Sequence, residues 1–252
     1  MAKIIAVANQ KGGVGKTTTC VNLTAALTAL GKKVLLVDGD PQGNASTGMG
    51  VSKATRPNTY DMLINGKSAA DCVVHTKYGD VIPASKELAA SSVELIGEEN
   101  REYVMRTALM ALYSEYDYIF IDCPPSLELL TVNALVAADS VLIPMQCEYY
   151  ALEGIADLVT SIKLAKKRLN KRLEIEGIVL TMYDARANLT TQVAAELRKY
   201  LEGKVYDTVI PRSVRLSEAP SHGMPGIAYD RFNKGTRAYM ELAEEFIQRT
   251  NV

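Results

Sequence analysis

Tryptophan is absent from this chain, phenylalanine occurs three times and histidine twice. The four cysteines, Cys20, Cys72, Cys123 and Cys147, stand far apart, and none forms a Cys-x-x-Cys pair. With His75 and His222 as the only imidazoles, this spacing argues against a structural zinc site or a disulfide framework and fits a reducing compartment. No apolar run approaches membrane-spanning length, and the apolar stretch in the opening MAKIIAVANQKGG is too short for the hydrophobic region of a secretion signal. The expectation is a cytosolic protein. Neither sign of charge dominates: 28 Lys and Arg face 29 Asp and Glu, a formal charge of −1. That balance excludes a uniformly basic nucleic-acid coat and leaves room only for a local basic patch. Glycine (17) and proline (9) are too few for a collagen-like or low-complexity chain. What is present is an ordinary globular composition, 48% hydrophobic and 23% charged. Its 252 residues suit one large α/β domain covering 1–252.

Short apolar runs recur at Ile4–Ala8, Val34–Val37, Tyr118–Ile121, Val141–Ile143 and Ile178–Leu180, with a weaker one at Val205–Ile210. Unbroken runs of this length predict strands covered on both faces, as in a parallel sheet. Between them lie segments with helical spacing. Val21, Leu23, Ala26, Leu27 and Leu30 precede Gly31, a helix stop, and Ile155, Leu158, Val159, Ile162 and Ala165 form a second apolar face. Strands alternating with helices predict a doubly wound α/β fold with a mostly parallel sheet. Residues 52–100 show no clear pattern and are read as an elaboration of the domain. Near the end, Tyr239, Leu242, Ala243, Phe246 and Ile247 share one helical face, opposite Glu241, Glu244 and Glu245. That acidic outer face suits a helix packed on the core, since a membrane-surface helix wants a basic one.

The strongest motif is Asn9-Gln10-Lys11-Gly12-Gly13-Val14-Gly15-Lys16-Thr17-Thr18, which follows the first predicted strand and opens the first helix. Glycines let the backbone wrap around phosphate with its N–H groups turned inward, and the helix N-terminus adds a positive end. Lys16 is placed to reach the β- and γ-phosphates and the Thr17 hydroxyl to ligate Mg²⁺. A dinucleotide fingerprint fits worse: its third glycine is Thr18, and a dinucleotide site has no use for the lysine. The loop also departs from the standard G-x-x-x-x-G-K-T, with Gln10 in place of the first glycine and a second lysine, Lys11, beside it. In this it resembles the deviant Walker A class of P-loop NTPases, whose extra lysine crosses a dimer interface to the partner's nucleotide.

Two predicted strands run into acids: Val34–Val37 into Asp38-Gly39-Asp40-Pro41-Gln42-Gly43-Asn44, and Tyr118–Ile121 into Asp122-Cys123-Pro124-Pro125-Ser126. Ligands of open α/β sheets sit beyond the carboxyl ends of strands, so all three aspartates are expected to point toward the phosphate loop. Asp122 reads as the acid that holds Mg²⁺ through a water. Asp40 reads as the residue that orients the attacking water, with a water-mediated metal contact of its own as a second expectation. Lys11 and Lys16 offset its charge near the γ-phosphate. Both acidic segments read as switch loops that respond to that phosphate.

Together these segments resemble the ParA/Soj family of partitioning ATPases. The likeness spans nearly the whole chain and includes Cys147-Glu-Tyr-Tyr-Ala-Leu-Glu-Gly154, Leu180-Thr-Met-Tyr-Asp-Ala-Arg186 and Ile210-Pro-Arg-Ser-Val-Arg-Leu-Ser-Glu-Ala-Pro-Ser-His-Gly223. Gly39 is a departure, standing where relatives often carry an aliphatic residue. The resemblance implies a Mg²⁺-dependent ATPase that dimerises on binding ATP through Lys11, Gly12, Gly13, Val14, Gly15, Lys16, Thr17 and Thr18. It also implies that the dimer binds double-stranded DNA without sequence preference through Arg186 and Arg215, and that a ParB-like centromere-binding partner stimulates hydrolysis. Met182 and Pro211 are expected to flank the adenine and Glu148 to approach the ribose. The expected location is cytoplasmic and nucleoid-associated, with no membrane partner. The motif's early start predicts the short type, without an N-terminal helix-turn-helix. The basic run Lys163, Lys166, Lys167, Arg168, Lys171 and Arg172 reads first as the wet face of a helix and second as part of a DNA surface. The alternatives are a MinD-like membrane-associated positioning ATPase and a small-molecule kinase or ligase using the same loop.

Overall fold

The computed structural model describes residues 1–148 and 151–250. Six strands, β1 (Lys3–Val7), β2 (Val34–Asp38), β3 (Asp80–Ile82), β4 (Tyr118–Asp122), β5 (Ser140–Gln146) and β6 (Glu174–Thr181), form one sheet in the order β3-β2-β4-β1-β5-β6. Every ladder is parallel. The crossover after β1 leads to one side of the sheet and the one after β4 to the other. The carboxyl ends of β1 and β4 therefore mark the topological switch point, where such sheets bind ligands.

Period-two alternation sorts each strand onto two faces. Ile4, Ala6 and Ala8 join one core layer with Leu35, Val37, Ile119, Ile121 and Ile143. Ile5 and Val7 join the other with Val34, Leu36, Phe120 and Leu142. The first helix, Lys16–Ala29, and the final helix, Lys234–Thr250, pack together on this second face. The final helix buries Tyr239, Leu242, Ala243 and Phe246, as the sequence pattern requires, and Phe246 meets Tyr118 edge-on at 5.3 Å between ring centroids. The helix Ala151–Arg168 buries Ile155, Leu158, Val159, Ile162 and Ala165 on the first face. Leu30 falls outside the first helix and stands exposed, and Gly31 turns the chain at φ 85°.

Two sequence expectations need correction. The weak run Val205–Ile210 is not a strand: it meets β6 at separate points, through an isolated bridge of Val205 with Ile178, where the Tyr206 N–H donates to the Ile178 carbonyl (2.9 Å), and through the Ile210 N–H, which donates to the Leu180 carbonyl (2.8 Å). The Glu245 carboxylate accepts from the Asp207 and Thr208 N–H groups, both at 2.9 Å, and so draws that backbone away from a ladder. Conversely, the unpatterned stretch 52–100 contributes β3, three residues long and stopped by Pro83. Among the described residues no helix is long and apolar enough to cross a membrane.

Candidate nucleotide site

β1 delivers the chain to a loop that is fixed from two neighbouring strands. Asn9 donates its side-chain amide to the Pro144 carbonyl at the end of β5 (2.9 Å) and accepts from the Lys11 N–H (3.0 Å). Thr181, the last residue of β6, donates its hydroxyl to the Val14 carbonyl (2.7 Å). Gly13 and Gly15 take left-handed φ of 73° and 92°, which glycine adopts without strain. The first helix then starts with no side-chain cap and no acid in its first turn, so its leading N–H groups and its positive dipole end are left for an anion. Lys16 is buried, with Nζ 3.2 Å from the Lys11 carbonyl. Burial lowers its pKa, and Asp122 and Asp40 offset this only in part, so the ammonium is short of negative charge.

Strand register sets the acids. Val7 pairs with Asp122, and Asp122 pairs with Asp38, so two carboxylates meet at the switch point. Both are fully buried and both titrate above the ordinary carboxylate range. Desolvation is the main cause in each; for Asp122 the neighbouring Asp38 adds repulsion. The two differ in their partners. Asp38 Oδ2 accepts from the Ser46 N–H (2.7 Å) and hydroxyl (2.6 Å), and Oδ1 accepts from the Asp40 N–H (3.2 Å). Asp38 is therefore the anchor of the loop that carries Asp40, and the expectation that it points toward the phosphates is corrected. Asp122 Oδ1 accepts from the Cys20 thiol (3.5 Å), the nearby Thr17 hydroxyl pulls its pKa down in part, and its buried Oδ2 has no partner among the described residues. A buried orphan carboxylate oxygen beside a threonine hydroxyl is a donor set that fits a hard cation such as Mg²⁺.

Asp40 is half-buried and folds back to accept from the Gln42 N–H (2.8 Å). Gly39 presses against β4: its N–H donates to the Asp122 carbonyl at 3.0 Å, and a Cβ there would lie 2.8 Å from the same oxygen. An aliphatic residue at 39 would push the Asp40 loop away from β4. Lys11, Gly12 and Gly13 are exposed, and the Lys11 ammonium pairs with the Glu148 carboxylate. Glu148 thus faces the loop's own lysine. Its neighbours in the family motif, Tyr149 and Tyr150, lie outside the described residues.

Met182, at a left-handed φ of 50°, and Pro211 are brought together by the Tyr183–Pro211 bridge. With Gly15, Thr18 and Leu216 they line a cavity of about 80 Å³ that opens beside the phosphate loop. Arg186 and Arg215 are both exposed, yet neither is a free cation. Asp184 holds Arg186 at 3.0 and 3.2 Å, and Glu218 holds Arg215 at 2.9 Å. In the basic run, Lys166 pairs with Glu174, and Lys166, Lys167 and Arg168 close the last turn of their helix, where cations complement the dipole. Sequence reasoning missed Thr181, Cys20 and Ser46. Thr181 sits at the carboxyl end of a predicted strand, the signal that singled out Asp122.

The family model described as "AAA domain" matches residues 2–175. The chain is 56% identical over 248 residues to the sporulation initiation inhibitor protein Soj of Bacillus subtilis, covering 97% of this chain and 98% of that one. It is 50% identical over 252 residues to the chromosome partitioning protein ParA of Myxococcus xanthus, covering 99% and 89%. Among solved structures, a cobyrinic acid a,c-diamide synthase from Mycobacterium smegmatis with bound ADP and magnesium superposes with a TM-score of 0.87 at 33% identity, covering 100% and 96%. The cell division ATPase MinD of Pyrococcus furiosus does so with a TM-score of 0.81 at 27% identity, covering 98% and 99%. The fold is that of the P-loop NTPases, and the extent and identity of these matches decide between its branches: the chain belongs to the ParA/Soj family of chromosome-partitioning ATPases.

Proposed function

We propose that the chain, acting as one ATPase unit over residues 1–252, binds ATP with Mg²⁺, dimerises around it, and in that state binds DNA without sequence preference. The observation that carries this reading is one arrangement: buried Lys16 and the orphan oxygen of Asp122 face inward beneath the glycine loop, while Lys11 stands outside it. Lys16 and the helix N–H groups bind the β- and γ-phosphates. Thr17 and Asp122, the latter through water, would hold Mg²⁺, which neutralises phosphate charge when bound. Asp40 orients the water that attacks the γ-phosphorus. Lys11 exchanges Glu148 for the phosphates bound by a second copy and stabilises charge there. Met182 and Pro211 flank the adenine, and Glu148, once released, is available to the ribose.

Hydrolysis breaks the bond between the γ-phosphorus and the bridging oxygen, leaving ADP and phosphate. Lys11 then has no γ-phosphate to hold, and the dimer separates from DNA. Relatives named as chromosome partitioning proteins support a role in moving DNA, with a ParB-like protein as the stimulating partner and the nucleoid in the cytoplasm as the location. The test is a gel shift on random-sequence duplex with ATP, ADP or no nucleotide at several salt concentrations. Binding with ATP alone that weakens steeply with salt is expected. Equal binding in all three nucleotide states would reject the reading.

A further inference from the structure

β5 and β6 stay paired to their last residues, Gln146 opposite Thr181. Both of these side chains turn to carbonyls of the phosphate loop. The Thr181 hydroxyl donates to the Val14 carbonyl at 2.7 Å, and the Gln146 amide reaches the Gly13 carbonyl at 3.4 Å. Thr181 and Val14 are both buried, so the shorter bond lies out of solvent. The Thr181 side chain also packs against the loop: a Cβ on Gly15 would lie 3.6 Å from its Cγ2.

A carbonyl held on one side fixes the N–H that follows it. In a trans peptide the C=O and the next N–H point in opposite directions, and among the described residues only Arg56–Pro57 is cis. Holding the Val14 carbonyl against Thr181 therefore turns the Gly15 N–H away from β6, toward the hollow of the loop. The loop supplies no such control of its own. Gly15 stands at φ 92°, and a flip of the Val14–Gly15 peptide would carry it to negative φ, which glycine adopts as readily. A flipped peptide would aim a carbonyl oxygen, not a donor, at bound phosphate.

We infer that Thr181 is a positioning residue for the nucleotide's phosphates: its hydroxyl locks the Val14–Gly15 peptide so that the Gly15 N–H is preset for the β-phosphate. Gln146, at its longer distance, is a weaker second lock on the Gly13–Val14 peptide. The inference deepens the nucleotide-binding reading above and rests on it. Without the lock the empty loop divides between two peptide orientations. A ligand must then draw on the competent fraction alone, and its apparent affinity falls by that fraction. Thr181 also lines the small cavity beside the loop together with Met182 and Pro211, so a role through the base side is the rival to be separated. A second rival is a purely structural tie between β6 and the loop.

The experiment titrates ADP and, separately, inorganic pyrophosphate, each with Mg²⁺, into wild type, T181V and T181S by calorimetry, with melting temperature followed in parallel. Valine keeps the β-branched shape and removes the donor; serine keeps the donor. T181V is expected to weaken ADP by about 10-fold, the scale of one buried hydrogen bond, and pyrophosphate by the same factor, since both ligands use the Gly15 N–H. T181S is expected to stay within about 2-fold of wild type for both. Wild-type affinity for both ligands in T181V, even with a lowered melting temperature, would make the bond purely structural and overturn the inference. A loss for ADP with pyrophosphate unchanged would place the effect on the base side and overturn it as well. So would an equal loss in T181S, which would assign the effect to side-chain bulk. If T181V fails to fold, T181A against T181S carries the test with the same expectations. Wild type that binds neither ADP nor pyrophosphate would instead remove the nucleotide reading itself.

Discussion

Lys16 and Lys11 stand five residues apart in one loop and meet opposite environments. Lys16 is buried at 7% exposure beside Asp122, its pKa lowered by desolvation. Lys11 is half-exposed and spends its charge on Glu148 at the rim. The interior half of the site is thus already shaped around a nucleotide of its own, with an under-compensated cation, a capless helix and an orphan carboxylate oxygen. The rim is closed by an ion pair between two exposed groups. Such pairs contribute on the order of 0–1 kcal/mol, so exchanging this one for triphosphate charge costs little. One loop therefore separates two tasks, holding a nucleotide and presenting a charge to a second copy.

The sharpest way to break this comparison is to remove each lysine in turn. Lys16→Ala is expected to lower ATP affinity by about 100-fold or more, because it deletes a buried charge from the phosphates. Lys11→Ala should leave ATP affinity within about 3-fold, since a rim pair contributes little, and lose dimerisation and turnover. Calorimetry with ATP measures the first property and light scattering the second; equal losses of affinity would erase the distinction. Asp40→Ala should retain ATP and slow hydrolysis by about 100-fold, in line with loss of water positioning, leaving the protein on DNA. Unchanged phosphate release would remove Asp40 from the reaction.

A smaller effect tests the interior acids. Asp122 has its folded pKa raised from 3.8 to about 8. A raised folded pKa means that the native state holds a proton the unfolded chain releases. The stabilisation is complete below pH 3.8 and is lost as pH rises through about 8. Without Mg²⁺ and nucleotide, the melting temperature should therefore fall by several degrees across that window on this account, and Asp122→Asn should flatten the trend. A wild-type slope in Asp122→Asn would assign the effect elsewhere. The smallest change is Glu148→Gln, which frees Lys11. Stability should move by no more than about 0.5 kcal/mol, while ATP-dependent dimerisation tightens severalfold, readable by sedimentation. Weaker dimerisation would instead mean that Glu148 contributes more to the ribose than it withholds from the phosphates.

What the sequence made legible follows the same divide. β1, β2 and β4 are buried on both faces, so their apolar runs stood out, and the Gly-Lys-Thr motif between β1 and the first helix located the phosphates. β3 was hidden because three residues ending at a proline carry no periodicity. The run Val205–Ile210 looked like a strand, and only the distant Glu245 reveals why its backbone leaves the ladder. Asp38 and Asp122 read alike, each at a strand end; Ser46, eight residues beyond Asp38, makes one a structural anchor and leaves the other with an open oxygen. Arg186 and Arg215 follow from resemblance alone, and their carboxylate partners depend on loop geometry that no spacing rule supplies.

The measurement that bears most directly on the shared use of this loop is light scattering coupled to size exclusion, on protein saturated with Mg²⁺ and a non-hydrolysable ATP analogue. The account requires twice the mass of the chain with the analogue, and the mass of one chain with ADP or in the Lys11→Ala variant. A single-chain mass for the wild type at saturating analogue would contradict it.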